Sequence, residues 1–428
     1  MKKQPISHLQ IANFDPMIAE IISIGDELLL GQTINTNASW MGEQLHLAGF
    51  KLRQVSTISD ERAHILTALS EAESRADLIL ITGGLGPTKD DITKQTLCEY
   101  FETDLVMNSF VLQGITTYFT GRGLPMLDVN IKQAELPRAA EVIENTRGTA
   151  MGMWFNKGDK AFVSMPGVPH EMKGMMTEQI LPRLKERFKT AGSYYQVLHT
   201  VGVGESFIAD KIAAWESRIR AEGLGLAYLP SPGTVKLRVS GTLANTAKVD
   251  EECNRLEKML GDIVFGRNDV TLPGAVGMLL RKKQESLAVA ESCTGGFLGH
   301  LITSVPGSSD YFKGGVLSYS NEMKASVLGV SNADLQQFGA VSEQVVKQMA
   351  EGVRKLSGTD YGISTSGIAG PDGGTDEKPV GTVWIAVSDS EKTTATKFIF
   401  GKSRERNIAL FSNYALNLLR KRIIERYG

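Results

Sequence analysis

At 428 residues the chain exceeds one ordinary hydrophobic core, so two or three domains are expected. Hydrophobic residues make up 42% and charged residues 22%, an ordinary balance for a soluble globular protein. A formal net charge of -2 gives no global pull toward nucleic acid or an anionic membrane. No uncharged apolar run approaches the roughly 20 residues that span a bilayer. The three cysteines, Cys98, Cys253 and Cys293, show no metal-ligand or disulfide spacing, which points to a reducing cytoplasm.

Residues 1–16 lack an apolar signal-peptide core and are expected to form a flexible lead-in. A strand over 17–24 then runs into Gly25-Asp26-Glu27-Leu28-Leu29. A helix follows from about Asn37 to Ala48, then a strand over 51–57 and a helix near 61–74. Asp77 to Thr82 is a short continuous apolar run, the mark of a parallel strand buried on both faces. It enters Gly83-Gly84-Leu85-Gly86-Pro87-Thr88. A strand over 160–165, the turn Pro166-Gly167-Val168-Pro169 and a helix to about Lys189 close this domain. The alternation predicts a doubly wound α/β domain over 17–190, with its site at the strand C-termini.

Residues 191–265 read as a small α+β unit with strands near 195–201, 226–229 and 234–241 and helices over 205–220 and 248–260. A linker over 266–274 leads to a third domain, α/β, over 275–428. It starts with a helix over 275–283 and a strand over 287–289 that enters Ala290-Glu291-Ser292-Cys293-Thr294-Gly295-Gly296. Further strands are expected over 314–320 and 361–366, helices near Lys324 and over 342–357, a hairpin of 381–388 with 394–400, and a last helix over 403–426.

Chemistry concentrates at the strand ends. The turn at Ser292 predicts backbone N–H groups of Thr294, Gly295 and Gly296, and a helix start, free to receive an anion beside two hydroxyls and a thiol. A serine can be activated by a desolvated lysine, or by a tyrosinate that a lysine stabilises, without a histidine; Tyr319 and Lys324 supply those groups. Cys293 is the competing nucleophile, since a helix start lowers a thiol pKa. Ser366 and Gly367 open a second glycine-rich loop suited to substrate, and Arg404 or Arg406 at the last helix could meet a phosphate. In the first domain Gly83, Gly84 and Gly86 allow close backbone approach to a phosphate or pterin-like ligand, with Thr88 beside them. Asp26, Glu27, Asp90 and Asp91 offer hard oxygen ligands to a divalent metal, and Glu171 is a further candidate.

These blocks resemble the CinA family, the competence/damage-inducible protein A proteins, from about Met17 onward. The resemblance implies a molybdopterin-binding-like first domain, in some members a metal-dependent ADP-ribose pyrophosphatase. Asp26, Glu27, Asp90 and Asp91 would then lie near a magnesium, manganese or cobalt ion, with potassium as an accompanying ion. It implies a KH-like middle domain, for which no Gly-x-x-Gly loop argues RNA binding. The last domain resembles the family's nicotinamide mononucleotide amidohydrolase, which needs no cofactor. There the resemblance makes Ser292 the nucleophile, gives Tyr319 and Lys324 catalytic roles, puts Ser366 where many members carry threonine, and assigns the site arginine to Arg404 with Arg406 in reserve. A cytoplasmic homodimer acting on small molecules, without membrane or nucleic-acid partners, is the expectation. The alternatives are a non-catalytic pterin- or nucleotide-binding first domain, or a scaffold linked to competence or DNA damage.

Overall fold

A computed structural model describes residues 17–88, 91–190 and 192–427, so the lead-in lies outside the described residues. The chain divides into two compact units, Met1–Tyr194 and Tyr195–Gly428.

The first unit is built on a six-stranded sheet. Its strands are β1 (Ile18–Ile24), β2 (Lys51–Ile58) and β3 (Leu78–Thr82); β4 (Leu105–Met107) and β5 (Glu135–Pro137) form a separate ribbon; β6 (Glu141–Ile143), β7 (Gly152–Lys157) and β8 (Lys160–Met165) complete the sheet. The order is β2-β1-β3-β8-β7-β6. The first four strands run parallel, as the alternation predicts. β7 and β6 add on antiparallel, a departure from the purely parallel reading. β3 shows why its run is continuous: Leu78 and Leu80 join one core while Ile79 and Ile81 join another on the opposite face. The buried Glu20 of β1 is held by Arg75 of the helix Arg62–Arg75, at 2.9 and 3.0 Å.

The second unit holds two sheets. β9 (Ser193–Val201), β10 (Gly225–Ser231), β11 (Thr234–Thr242) and β12 (Val264–Arg267) are ordered β10-β11-β9-β12, with helices Glu205–Ala221 and Thr246–Leu260. The other sheet comprises β13 (Leu287–Glu291), β14 (Phe312–Leu317), β15 (Tyr361–Gly367), β16 (Thr382–Ser388) and β17 (Thr393–Ile399), ordered β14-β13-β15-β16-β17. β14, β13 and β15 are parallel, and the expected hairpin β16–β17 extends them antiparallel. The strand expected to reach Ser320 stops at Leu317, which frees Ser320 to cap the next helix through Met323 N–H at 3.2 Å. The expected linker also yields to structure at both ends. β12 runs to Arg267, and Thr271 caps the helix Leu272–Lys283 so that Pro273 and Gly274 lie in its first turn. The final helix Arg404–Tyr427 packs its apolar face, including Phe411, Leu416 and Leu419, into the core beneath this sheet.

Candidate active site

β13 lies between β14 and β15, and every residue of it is buried. Its last residue, Glu291, is 1% exposed. The carboxylate accepts hydrogen bonds from the N–H groups of Gly296 at 2.9 Å, Leu298 at 3.1 Å and Gly299 at 2.8 Å. A carboxylate is the ion that a helix start favours. The helix Phe297–Thr303 therefore has its anion already, and the expectation that Gly296 N–H waits for a substrate is corrected. Gly295 and Gly296 sit at φ +59° and +98°, the left-handed region that the tight return of the chain requires. Gly295 N–H bonds back to the Ser292 carbonyl, and the Thr294 hydroxyl is buried against Thr365 at 2.8 Å. Thr294, Gly295 and Gly296 thus build the turn and do not line the cavity beside it.

That cavity, about 210 Å³, brings together Ser292, Tyr319, Lys324, Ser366, Gly367 and Arg404. Lys324 projects from the helix Asn321–Leu328 and is 1% exposed. Its Nζ lies 3.1 Å from Ser292 Oγ, 2.7 Å from the Ser318 carbonyl and 3.2 Å from the Tyr319 carbonyl. Burial holds the Lys324 pKa below the ordinary lysine value, against the opposing influence of Cys293 and Glu322. Burial also pushes the Cys293 thiol up to about 12, with the Glu291 charge adding to the rise. The helix-start argument for a reactive thiolate fails here, because burial outweighs the lowering influence of the thiol's own backbone N–H. Tyr319 meets Lys324 through its carbonyl, while its exposed phenol accepts from Arg404 at 3.5 Å. Arg404 is oriented by the Gly370 carbonyl at 2.9 Å, and Ser366 Oγ donates to the Ala340 carbonyl at 2.7 Å. Arg406 lines a different depression, with Pro230 and Pro232.

In the first unit a cavity of about 420 Å³ opens at the C-terminal ends of β1, β2 and β3 and includes Glu27, Asn37, Asp60, Gly83, Asp91 and Glu171. Its glycines are required by the protein itself: a Cβ on Gly83 would collide with the Ile24 carbonyl, on Gly84 with the Thr93 hydroxyl, and on Gly86 with the Asp91 carboxylate. Thr88 is exposed and tied to Asp91, its N–H donating to that carboxylate at 2.9 Å and its hydroxyl to the same oxygen. Asp91 therefore closes a turn before the helix Thr93–Tyr100 instead of capping it. Asp90 lies outside the described residues. Asp26 opens the short helix Asp26–Leu29, and its N–H donates to Asp60 at 3.1 Å. Burial raises the Asp60 pKa, and the charges of Asp26, Glu27 and Asp91 raise it further. An all-carboxylate donor set suits a hard divalent cation, although among the described residues no three acidic, histidine or cysteine side chains form a ready cation cage.

Asp60 and Glu291 escape a motif-by-motif reading. Asp60 could be found by asking which acids follow every parallel strand, not only those next to glycines. Glu291 stands within the motif, but a strand-end acid carries no sign in sequence that it turns back onto the helix ahead of it.

Family models match all three parts: a probable molybdopterin binding domain over residues 20–186, the damage-inducible protein CinA KH domain over 195–266, and the CinA C-terminal domain over 269–423. A CinA-like protein of Cytophaga hutchinsonii is 46% identical over 411 residues, covering 95% of this chain and 98% of that one. A CinA-like protein of Flavobacterium psychrophilum is 41% identical over 421 residues, covering 96% and 100%. A solved CinA superfamily protein from Klebsiella pneumoniae is 33% identical, covers 37% of this chain and 99% of its own, and superposes with a TM-score of 0.36. No described helix is long and apolar enough to cross a membrane. With three domain models in family order and relatives matched along nearly their whole length, the chain belongs to the CinA family.

Proposed function

We propose that the C-terminal domain hydrolyses the carboxamide of nicotinamide mononucleotide to nicotinic acid mononucleotide and ammonia, with Ser292 as nucleophile. The observation that carries this reading is the Lys324–Ser292 pair. Two carbonyls, of Ser318 and Tyr319, fix two N–H groups of the buried amine. In neutral Lys324 the remaining tetrahedral position is the lone pair, and it faces Ser292 Oγ.

The amine takes the hydroxyl proton as Oγ attacks the carboxamide carbon. The resulting ammonium returns that proton to the departing nitrogen, and ammonia leaves an acyl ester on Ser292. Water, deprotonated by the same amine, then cleaves the ester and regenerates the serine. Of the turn residues only Cys293 borders the cavity beside Ser292, so its N–H is the donor we assign to the oxyanion. Arg404, with the Tyr319 phenol beside it, supplies a cation for the phosphate. Ser292→Ala should abolish ammonia release from the mononucleotide; a variant with full activity overturns the assignment.

For the N-terminal domain we propose metal-dependent hydrolysis of ADP-ribose to AMP and ribose 5-phosphate. The crowded carboxylates Asp26, Glu27, Asp60 and Asp91 favour this reading over a purely pterin- or nucleotide-binding module. With Asp90 they would hold a magnesium, manganese or cobalt ion, which would neutralise diphosphate charge when bound. Turnover that is abolished in Asp91→Ala supports catalysis; ligand binding with no turnover in the parent protein supports the module. The competence or DNA-damage scaffold reading requires function without turnover in either domain. A homodimer is proposed from the family resemblance, and sedimentation of the full chain tests it.

A further inference from the structure

Glu291 is tied to both reacting groups of the proposed amidase. Its main-chain carbonyl accepts the Ser318 N–H at 2.9 Å, and the Ser318 carbonyl in turn accepts from Lys324 Nζ at 2.7 Å. Its neighbour in the chain is Ser292, whose N–H is fixed by the Thr365 carbonyl at 3.0 Å. Its carboxylate uses both oxygens on the far side of the turn: Oε2 accepts from Gly296 and Leu298, Oε1 from Gly299. The return of the chain over Ser292 to Gly295 is thereby closed at both ends by one residue. Gly299 gives an independent sign of how closely the carboxylate is packed, because a Cβ there would lie 3.3 Å from Glu291 Oε1.

We infer that Glu291 is the positioning residue of the amidase, an internal anion that fills the helix start and holds Ser292 Oγ at Lys324. This rests on the proposed assignment of Ser292 as nucleophile. A tethered carboxylate occupies the three N–H groups whether or not substrate is bound, so the turn is set before the reaction begins. It also removes these N–H groups from the substrate's reach. The substrate phosphate must then be recognised on the Arg404 side of the cavity. Glutamine cannot replace the acid fully, since one of its two positions is an NH₂ donor facing N–H donors.

The test uses the full chain with nicotinamide mononucleotide as substrate and compares Glu291→Gln, Glu291→Ala, Gly299→Ala and Ser292→Ala. A misplaced nucleophile lowers kcat while leaving substrate binding intact, so about a tenfold loss of kcat is expected for Gln and about a hundredfold for Ala, with KM within about threefold. Gly299→Ala, which presses on the carboxylate without removing it, should also lower kcat more than it changes KM. The acid limb of the kcat–pH profile should stay in place in all three, because Lys324 is untouched. Amide-hydrogen exchange across residues 296–299 should be slow in the parent and fast in the Glu291 variants, with protection elsewhere retained. A folded Glu291→Ala protein with kcat within threefold of the parent overturns the inference, as do parent amides at 296–299 that exchange at exposed-loop rates. If Glu291→Ala does not fold, Glu291→Gln and Gly299→Ala decide by the same kcat criterion. Full activity in Ser292→Ala defeats the amidase assignment itself; an inactive Ser292→Ala beside a fully active Glu291→Ala defeats only the positioning role.

Discussion

Lys324 Nζ and Ser292 Oγ stand 3.1 Å apart in a pair from which solvent is largely excluded, the lysine being 1% and the serine 9% exposed. The amine must be neutral to accept the serine proton, and burial favours that form. Activity should rise with pH through a lysine pKa below the usual value and then level off. The folded pKa is depressed, so the unfolded chain binds more protons between the two values. The stability contribution is therefore complete above the unfolded pKa and lost as pH falls through the folded one. The kcat/KM–pH profile checks the limb, and Lys324→Met should lose about 10²- to 10⁴-fold in rate, the usual worth of a general base. An unshifted limb in Lys324→Met would transfer the role elsewhere.

Cys293 should be dispensable as a nucleophile. With its thiol pushed up to about 12 and its Sγ buried, little thiolate exists at neutral pH. Cys293→Ser should keep kcat within about fivefold of the parent, since only packing beside Ser292 changes. Mass spectrometry of the enzyme quenched during turnover should find the acyl group on the peptide through Ser292 in both proteins. Complete loss of activity in Cys293→Ser would reinstate the thiol.

Much of this site was legible because its residues follow parallel strands that end on one sheet edge. Ser292 follows β13, Ser366 lies at the end of β15, and Tyr319 and Lys324 come just after β14, so spacing alone groups them. The free helix start was not legible, since it depended on where one side chain, Glu291, folds back. In the first unit the continuous run 78–82 announced β3, whereas β6 has only three residues and β7 passes from buried Gly152–Phe155 to exposed Asn156 and Lys157, so neither carries a period of its own. Thr271 shows the same limit: its neighbours Pro273 and Gly274 mark a loop in composition, yet a Thr cap followed by Pro also starts a helix.

Arg404 and Arg406 should separate cleanly. Only Arg404 reaches the cavity, where the Gly370 carbonyl and the Tyr319 phenol aim its guanidinium. Arg404→Ala should raise KM for the mononucleotide about ten- to a hundredfold, the loss of one charge-assisted hydrogen bond. It should weaken binding of the dephosphorylated nucleoside far less. Arg406→Ala should leave both constants near those of the parent. A larger effect at Arg406 would reverse the assignment.

Arg420 should govern how firmly the last helix is held to β12. It is 4% exposed and donates to the Val264 carbonyl at 3.3 Å, to the Asp262 carbonyl and to Asn417. Its hydrogen-bond acceptors are neutral, so removing it takes a donor from the buried Val264 carbonyl and the partly buried Asp262 carbonyl without stranding a partner charge. Arg420→Met should destabilise the second unit by about 1–3 kcal/mol, measured by urea unfolding. A change below a few tenths would mean that water replaces the guanidinium.

Asp60 offers a test with two readouts of opposite sign. Its folded pKa is raised by burial and then by Asp26, Glu27 and Asp91. A carboxyl with a raised folded pKa gives stability that is present below its unfolded pKa and lost as pH rises through the folded one. At neutral pH the metal-free domain therefore carries a repulsion that Asp60→Asn relieves, and the thermal midpoint of that domain in chelator should rise. The same carboxylate is an oxygen donor for the proposed divalent ion. A ligand that binds only the folded state stabilises it in proportion to the logarithm of its concentration over Kd. Manganese or magnesium should raise the midpoint of the parent, and Asp60→Asn should need about tenfold more metal or greater for the same shift, the cost of one charged ligand. A rise in chelator with an unchanged metal response would leave Asp60 a strained acid beside the site and not a part of it. A fall in chelator would show that its bond from Asp26 N–H outweighs the crowding of charge.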